Sequence, residues 1–246
     1  MIDERRILIT GGSGLLGSHL RRELPGALYP TSSEFDVADF DALSAWAEAN
    51  PFDLCMHGAA FTSPPQIDKD PQRALEVNVI GTANVVRLCA DRGARLVYIS
   101  TDYVFPGDRG MYAESDPVNP VNKYAWSKLG GECAVRLYDD SLIIRTSFGP
   151  DAFPYPKAFT DQWTSREPVS TMASKIAMIL RDPPTGVMHL GGTRKSVHEY
   201  ASGLDNEGPI GELSIHDVNF SVPVDTSLDC SRYEQFIRDH ARMGQS

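Results

Sequence analysis

Arg5-Arg6-Ile7-Leu8-Ile9-Thr10-Gly11-Gly12-Ser13-Gly14-Leu15-Leu16-Gly17 is the stretch on which the fold turns. Arg5 to Thr10 is an apolar, β-branched run that stops at Gly11-Gly12, and Leu15, Leu16 and Leu20 follow at helical spacing. The order is strand, tight turn, helix. Gly11, Gly14 and Gly17 occupy every third position of the turn, where backbone N–H groups and the positive end of a helix can meet a pyrophosphate. Side chains there would hold the backbone off the phosphates or push the helix off the sheet. Three glycines also fit a plain Gly-rich turn, but their place directly after the first strand favours a phosphate loop.

Working outward, Gly26 to Pro30 reads as a weak second strand, Phe40 to Asn50 as a helix stopped by Pro51, and Phe52 to His57 as a strand. Pro71 opens a long helix through Leu75, Val79, Ala83, Val86 and Ala90, and Gly93 ends it before a strand at Arg95 to Ser100. A helix from about Asn122 to Tyr138 and a strand from Ser141 to Thr146 continue the series. Strands alternating with helices in units of this length predict right-handed βαβ crossovers and a Rossmann-type α/β fold, a doubly wound parallel sheet.

After Thr146 the pattern breaks, because Pro150, Pro154, Pro156 and Pro168 punctuate a stretch without a clean period. An irregular, site-forming segment is expected there. Beyond it a helix is predicted over Thr171 to Arg181, a returning strand over Gly186 to Leu190, a capping box at Ser196-x-x-Glu199 and a helix over Ser231 to His240. The expected division is a dinucleotide-binding core over 1–146, with the returning strand at 186–190, and a smaller, partly interleaved substrate-binding region over 147–246.

The 246 residues carry a formal charge of −10, and no Lys/Arg cluster is long enough to follow a phosphate backbone, so nucleic acid is not an expected partner. Acids and bases at Asp3 to Arg6 do not match a signal peptide, and no apolar stretch approaches the roughly 20 residues of a membrane span. Cys55, Cys89, Cys133 and Cys230 are widely separated, and three of them fall inside predicted elements. They read as buried free thiols in a reducing cytoplasm, with a metal or disulfide role as the lesser alternative.

Tyr124-Ala-Trp-Ser-Lys128 places a phenol and an ammonium at i and i+4, on one helix face. A phenol of ordinary pKa about 10 gives up its proton with difficulty near neutral pH, and a nearby ammonium would lower that value. Thr101, in Ser100-Thr101-Asp102-Tyr103-Val104-Phe105, stands at the carboxyl end of a strand, where parallel sheets bind ligands. It is placed to hydrogen-bond a substrate carbonyl. At the end of the second strand stand Thr31, Ser32 and Ser33 instead of an acid, and the nearest carboxylates are Glu34 and Asp36. Hydroxyls there suit the 2′-phosphate of NADP better than the free hydroxyl of NAD, with Asp36 left to meet the adenine or the ribose.

Taken together these residues resemble the extended short-chain dehydrogenase/reductases, and within them the dTDP-4-dehydrorhamnose reductase family. The resemblance rests on Ile9 through Gly17, His57-Gly58-Ala59-Ala60, Val77-Asn78, Ser100 through Gly107, Tyr124 through Lys128 and Arg145-Thr146-Ser147. Weaker likeness continues through Asp161-Gln162, Met188-His189-Leu190 and Ser227 through Ser231. It implies an oxidoreductase in which Tyr124 protonates a carbonyl during hydride transfer, Lys128 binds the nicotinamide ribose and Thr101 hydrogen-bonds the substrate. Gly11, Gly14, Leu15, Leu16, Gly17, Ser32, Asp36, Ala59 and Ala60 would line the cofactor cleft, and Asp102, Tyr103 and Arg166 would meet the substrate. The implied partner is a nucleotide sugar, the assembly considered is a homodimer, and no metal site is assigned.

Two features bear on the chemistry. Related sugar-nucleotide dehydratases place an acid pair directly after the Thr, whereas Asp102 here is followed by Tyr103, which argues against dehydration. Family members also carry a longer insert ahead of the segment matching Asp161-Gln162, one that helps build the nucleotide end of the pocket. Here a short Pro-rich stretch replaces it, with Lys157, Gln162, Trp163 and Arg166 as candidate substrate contacts. The competing readings are a sugar-nucleotide epimerase that retains its cofactor, and a non-catalytic module like the regulatory subunit of methionine adenosyltransferase.

Overall fold

The computed structural model describes residues 2–218 and 222–243. In chain order, β1 (Ile7–Thr10) leads into α1 (Leu15–Glu23), followed by α2 (Phe40–Ala49) and β2 (Leu54–His57). Next come α3 (Pro64–Lys69) and α4 (Pro71–Ala74), which runs through a π-helical turn (Leu75–Ile80) into α5 (Gly81–Arg92). Then follow β3 (Arg95–Thr101), α6 (Lys123–Val135), β4 (Ser141–Thr146) and four short strands, β5 (Phe148–Gly149), β6 (Lys157–Phe159), β7 (Trp163–Thr164) and β8 (Glu167–Pro168). The chain closes with α7 (Val169–Leu180), β9 (Gly186–Leu190), β10 (Lys195–Ser196), α8 (Val197–Ser202), β11 (Gly211–Leu213) and α9 (Ser231–Met243).

Five strands form one parallel sheet in the order β1-β2-β3-β4-β9. Alternation along β1 decides which layer each side chain enters. Ile7 and Ile9 face the core beneath α1 and α7, and Leu8 faces the one beneath α2, α5 and α6. With helices on both faces β1, β2 and β4 are buried throughout and β3 and β9 are buried beyond their first residues, which is why these strands read as apolar runs. The doubly wound α/β fold predicted from the alternation is the fold observed.

The weak second strand reduces to one residue. Leu28 donates to the Ile7 carbonyl and accepts from the Ile9 amide, each at 2.8 Å, and pairing stops there. Pro30, two residues on, has no N–H to offer a ladder. The chain thus leaves β1 for Leu28 on one side and returns for β2 on the other, creating the crevice where ligands settle in sheets of this kind.

The Pro-rich stretch is not shapeless. β5 pairs with β8, β6 with β11 and β7 with β10, and Pro150 and Pro168 bound the first of these pairs at two residues. α7 starts at Val169, with Pro168 at its N-cap, and packs into the main core. The Ser196 capping box is present. The expectation of four buried thiols needs correction: Cys55 and Cys89 are buried, Cys230 is half-buried and Cys133 is exposed on α6. No helix among the described residues is long and apolar enough to cross a membrane.

α6 lies unusually close to the sheet. A Cβ on Gly131 would collide with the Tyr98 hydroxyl and stand 2.9 Å from the Asn78 carbonyl. The next residue, Glu132, is fully buried and grips Arg145 of β4 through bonds of 3.0 and 2.8 Å, while Ser100 of β3 donates to it at 2.6 Å. Removing one partner of such a pair strands a charge in the interior, which costs about 3–5 kcal/mol. Glu132→Ala is therefore expected to lose stability of that order in urea denaturation, and a loss below about 1 kcal/mol, the scale of an exposed pair, would contradict the burial.

Candidate active site

A cleft of about 690 Å³ runs along the carboxyl edge of the sheet. The turn from Gly11 to Gly17 forms part of its wall, joined by Ser32 and Asp36 and by Ala59 and Ala60 after β2. Thr101, Asp102 and Tyr103 at the end of β3, Tyr124 and Lys128 on α6, and Arg166 line it too. The residues expected to bind cofactor or carry the chemistry therefore border one cavity, and so do Asp102, Tyr103 and Arg166.

The three glycines are bare for different reasons. Gly11 has φ +75°, and a Cβ on it would stand 2.8 Å from the Ala59 amide nitrogen. A Cβ on Gly17 would run into the Gly11 carbonyl and the Gly12 backbone, so that glycine sets how tightly α1 seats on the turn. Gly14 differs, because its only neighbour would be the Gly11 carbonyl oxygen at 3.2 Å. The protein itself leaves space there, on the cleft side. Gly14 is also the N-cap of α1 and offers no side-chain cap, so the first-turn N–H groups keep their capacity to donate. The cradle fits a pyrophosphate.

Below the cradle a hydrogen-bond chain holds the end of β2. Thr10 Oγ1 accepts from the Gly58 and Ala59 amides at 3.2 and 3.1 Å, so its own proton goes to His57 Nδ1 at 2.8 Å. His57 Nε2 then donates to Thr82 Oγ1, and Thr82 donates to the Asn78 carbonyl. Burial, and secondarily Lys128, push the His57 pKa down to about 3, which matches a neutral ring with one donor and one acceptor. Asn78 clamps Phe61 through both backbone groups and donates to Ser127 Oγ at 2.8 Å, and Ser127 caps the Tyr124 carbonyl. Sequence reasoning gave Asn78, Thr82 and Ser127 no role. Asn78 sits in the π-turn, which has no periodic signature.

Thr101 ends β3 opposite Thr146 of β4, and its hydroxyl lies beside the Tyr124 phenol. Burial, and then the nearby Asp102 carboxylate, hold the Tyr124 phenol above its ordinary pKa, with Thr101 offsetting part of the rise. Lys128 is 3% exposed; its Nζ stands 4.2 Å from the Tyr98 ring centroid, and burial pushes its pKa down to about 7 against the pull of Glu132. The expectation of a phenol pKa lowered by the neighbouring ammonium is therefore corrected. In the protein alone, desolvation and the Asp102 charge act together to raise the phenol, and at Lys128 desolvation outweighs the pull of Glu132.

Of the hydroxyls after Leu28, Ser32 borders the cleft, whereas Thr31 is bound through its amide and hydroxyl to Glu34 and contacts Ser33. Of the four candidates in the Pro-rich stretch, Arg166 borders the cleft and bonds Ser147 at 3.4 Å. Lys157 is exposed on β6, and the Gln162 carbonyl accepts from Val197. Trp163 is covered by the Arg194 guanidinium, 3.9 Å from its ring centroid. These three do not line the cleft. Among the described residues no group of His, Cys, Asp and Glu could hold a metal ion.

Fold and cleft define a doubly wound α/β protein with a glycine-lined phosphate cradle and a Tyr–Lys–Thr cluster at the sheet's carboxyl edge. The chain belongs to the RmlD substrate binding domain family, whose model matches residues 5–178. It is 37% identical over 153 residues to the dTDP-4-dehydrorhamnose reductase of Mycobacterium tuberculosis, a match covering 58% of this chain and 50% of that protein. The chain thus spans about half the length of that relative. The dTDP-4-keto-6-deoxy-D-glucose reductase of Streptomyces niveus is 32% identical, over 75% of this chain and 72% of its own length. Methionine adenosyltransferase 2 subunit beta of Bos taurus is 28% identical over 95% and 83%. Among solved structures, a hypothetical dTDP-4-dehydrorhamnose reductase from Sulfolobus tokodaii superposes with TM-score 0.80 at 32% identity, covering 94% of both chains. The Bacillus anthracis reductase in complex with NADP gives 0.81 at 26%, covering 94% of this chain and 91% of that one.

Two outcomes follow from this geometry. Gly14→Val is expected to fold, since little protein crowds that position, yet to lose dinucleotide binding in calorimetric titration; unchanged affinity would remove the cradle assignment. Lys128→Met should be more stable than wild type at and below pH 7, where burial penalises the ammonium in full. The advantage should shrink as pH rises from about 7, the folded value, towards 10.5, where the unfolded lysine also loses its proton. Urea midpoints of both proteins across that range test it, and a pH-independent difference would show that Lys128 is not destabilised by burial.

Proposed function

We propose that the protein is an NAD(P)H-dependent reductase of a keto group on a nucleotide-linked sugar, similar to the dTDP-4-dehydrorhamnose reductases. The observation that carries this reading is the convergence of Tyr124, Lys128 and Thr101 with the glycine cradle on one cleft. A bound NADPH would supply the hydride. The cradle of Gly11, Gly14, Leu15, Leu16 and Gly17 takes its pyrophosphate, Ser32 and Asp36 meet the adenosine end, and Ala59 and Ala60 form the adjoining wall. Lys128 holds the nicotinamide ribose, and Tyr124 gives its proton to the substrate oxygen. Tyr103 and Arg166 meet the substrate.

The dinucleotide-binding part is assigned to 1–146 with the strand at 186–190, and substrate binding to the interleaved remainder. A homodimer in a reducing cytoplasm completes the proposal. The near full-length likeness to methionine adenosyltransferase 2 subunit beta favours a second reading, a cofactor-binding module that regulates a partner enzyme.

Net NADPH consumption over a panel of 4-keto nucleotide sugars separates the readings: consumption supports a reductase, and its absence across the panel favours an epimerase or the regulatory module. Tyr124→Phe should cost about 10²–10⁴-fold in turnover while still binding cofactor, the worth of a positioned general acid. Near-wild-type turnover would remove Tyr124 from that role. NADPH should bind at least as tightly as NADH, and Ser32→Asp should shift preference towards NADH. Much tighter NADH binding by the wild type would overturn the NADP assignment and point to Asp36 as the ribose ligand.

A further inference from the structure

Arg73, Lys128 and Arg166 border the cleft, and their contacts place two of them at its chemical end. Lys128 is buried against the Tyr98 ring, and Arg166 bonds Ser147 and acts on Asp102 and Tyr103. Arg73, on α4, belongs to a different wall.

The helix that opens with α4 starts at the carboxyl edge of the sheet, after β2, and ends with α5 at the amino edge, before β3. Going back along it towards the cleft, successive turns meet the segment around Asp36. Asn84 donates to the Val37 carbonyl at 3.0 Å, and a Cβ on Gly81 would stand 2.7 Å from Val37 Cγ2. Val77 packs on the cluster that holds Phe35 and Val37, and all three line the cleft. Arg73 is one turn further on, four residues before Val77, and borders the cleft there. The wall that carries it is the one packed against Phe35-Asp36-Val37, at the end assigned to the adenosine.

The Arg73 guanidinium is uncommitted. Its side chain is 55% exposed and makes no hydrogen bond among the described residues, and its ionic neighbour is Glu76 at 3.9 Å. Glu76 in turn accepts from Gln72 at 3.3 Å. The rest of the adenosine end offers hydroxyls and acids: Ser32 borders the cleft, Thr31 is tied to Glu34, and Asp36 accepts from the Ala38 amide. Arg21, another cation on that side, is stacked over the Tyr29 ring at 4.2 Å and does not line the cleft. A phosphate monoester carries a charge of about −1.5 to −2 near neutral pH, and hydroxyls give it hydrogen bonds without a counter-charge. The planar fork of an arginine supplies both.

We propose that Arg73 is the residue that selects the 2′-phosphate of NADPH, and that Glu76 is the internal carboxylate this phosphate displaces. The proposal rests on the reading of the cleft as an NADPH site and adds the cation that Ser32 and its neighbours lack. Glu76 and the phosphate compete for one guanidinium, so the weak pair at 3.9 Å holds Arg73 near the cleft mouth until a stronger anion arrives. NADH has a neutral hydroxyl in place of the phosphate and leaves the pair intact. Selection of NADPH thus comes from a helix across the cleft, not from the end of the second strand.

The test is calorimetric titration of the full chain with NADPH, NADH, 2′,5′-ADP and ADP. Arg73→Gln is expected to weaken NADPH and 2′,5′-ADP by about 10-fold or more, the worth of a charge-assisted bond, and NADH and ADP by less than about 2-fold. Arg73→Lys should recover part of the loss, since it keeps the charge and gives up the fork. Glu76→Gln should tighten NADPH and leave NADH unchanged. Added salt should weaken NADPH binding more in the wild type than in Arg73→Gln. Both side chains are exposed, so the variants are expected to keep the wild-type thermal midpoint. Equal losses for NADPH and NADH would place Arg73 on a part the two cofactors share and overturn the proposal, as would an unchanged NADPH affinity. A wild type that binds neither dinucleotide removes the reading of the cleft itself, and one that prefers NADH removes the NADP assignment. Tight NADPH binding that survives Arg73→Gln removes only the role of Arg73.

Discussion

Glu132 and Arg145 form an ion pair in the interior of the protein, and the site is built around it. Glu132 belongs to the helix that carries Tyr124 and Lys128, Arg145 to β4, and Ser100, which also bonds Glu132, directly precedes Thr101 on β3. One carboxylate therefore fixes the helix against two strands at the level of the reacting groups. Gly131 brings the helix close enough for this contact to form. A buried pair is a poor source of stability compared with apolar packing, but its geometry is unforgiving, and angular accuracy is what a proton donor needs.

The same burial sets the electrostatics. Lys128 and Tyr124 lie where water is scarce, so each is pushed towards its neutral form. His57, beneath them, is neutral for the same reason. The protein by itself thus holds a set of polar groups short of charge, into which an anionic, hydroxyl-rich ligand would bring its own. Among the residues lining the cleft, Arg73, Lys128 and Arg166 are the cationic types, in a chain whose formal charge is −10. Steering of an anion by the whole surface is correspondingly weak, and recognition falls to those side chains and to the backbone amides of the first turn.

The sequence made the sheet legible because its strands are buried on both faces and so stand out as apolar runs between helical periods. Thr101, Tyr124 and Lys128 could be brought together from the rule that parallel sheets bind at their carboxyl ends. What escaped was of three kinds. Leu28 forms a single bridge because Pro30 ends pairing, a matter of one residue. Glu132 looks like a solvent-facing acid until its partner from β4 is known, so nothing local announces that it is buried. The phenol pKa was misjudged because spacing shows which groups are neighbours and is silent on how far water has been excluded from both.

The π-turn over Leu75–Ile80 has a consequence for how this region tolerates change in length. A helix that closes i→i+5 bonds for one turn contains a residue more than an α-helix would need to cover the same rise. Each residue in a helix advances the azimuth by about 100°, so losing one here would straighten the helix and swing everything on one side of the turn by about that angle relative to the other. Asn78 would then face away from Phe61 and Ser127, and the loop after β2 would lose its clamp to α6. The surplus residue acts as a phase adjustment, setting the first half of the helix against the cleft while the second half keeps its apolar stripe on the sheet.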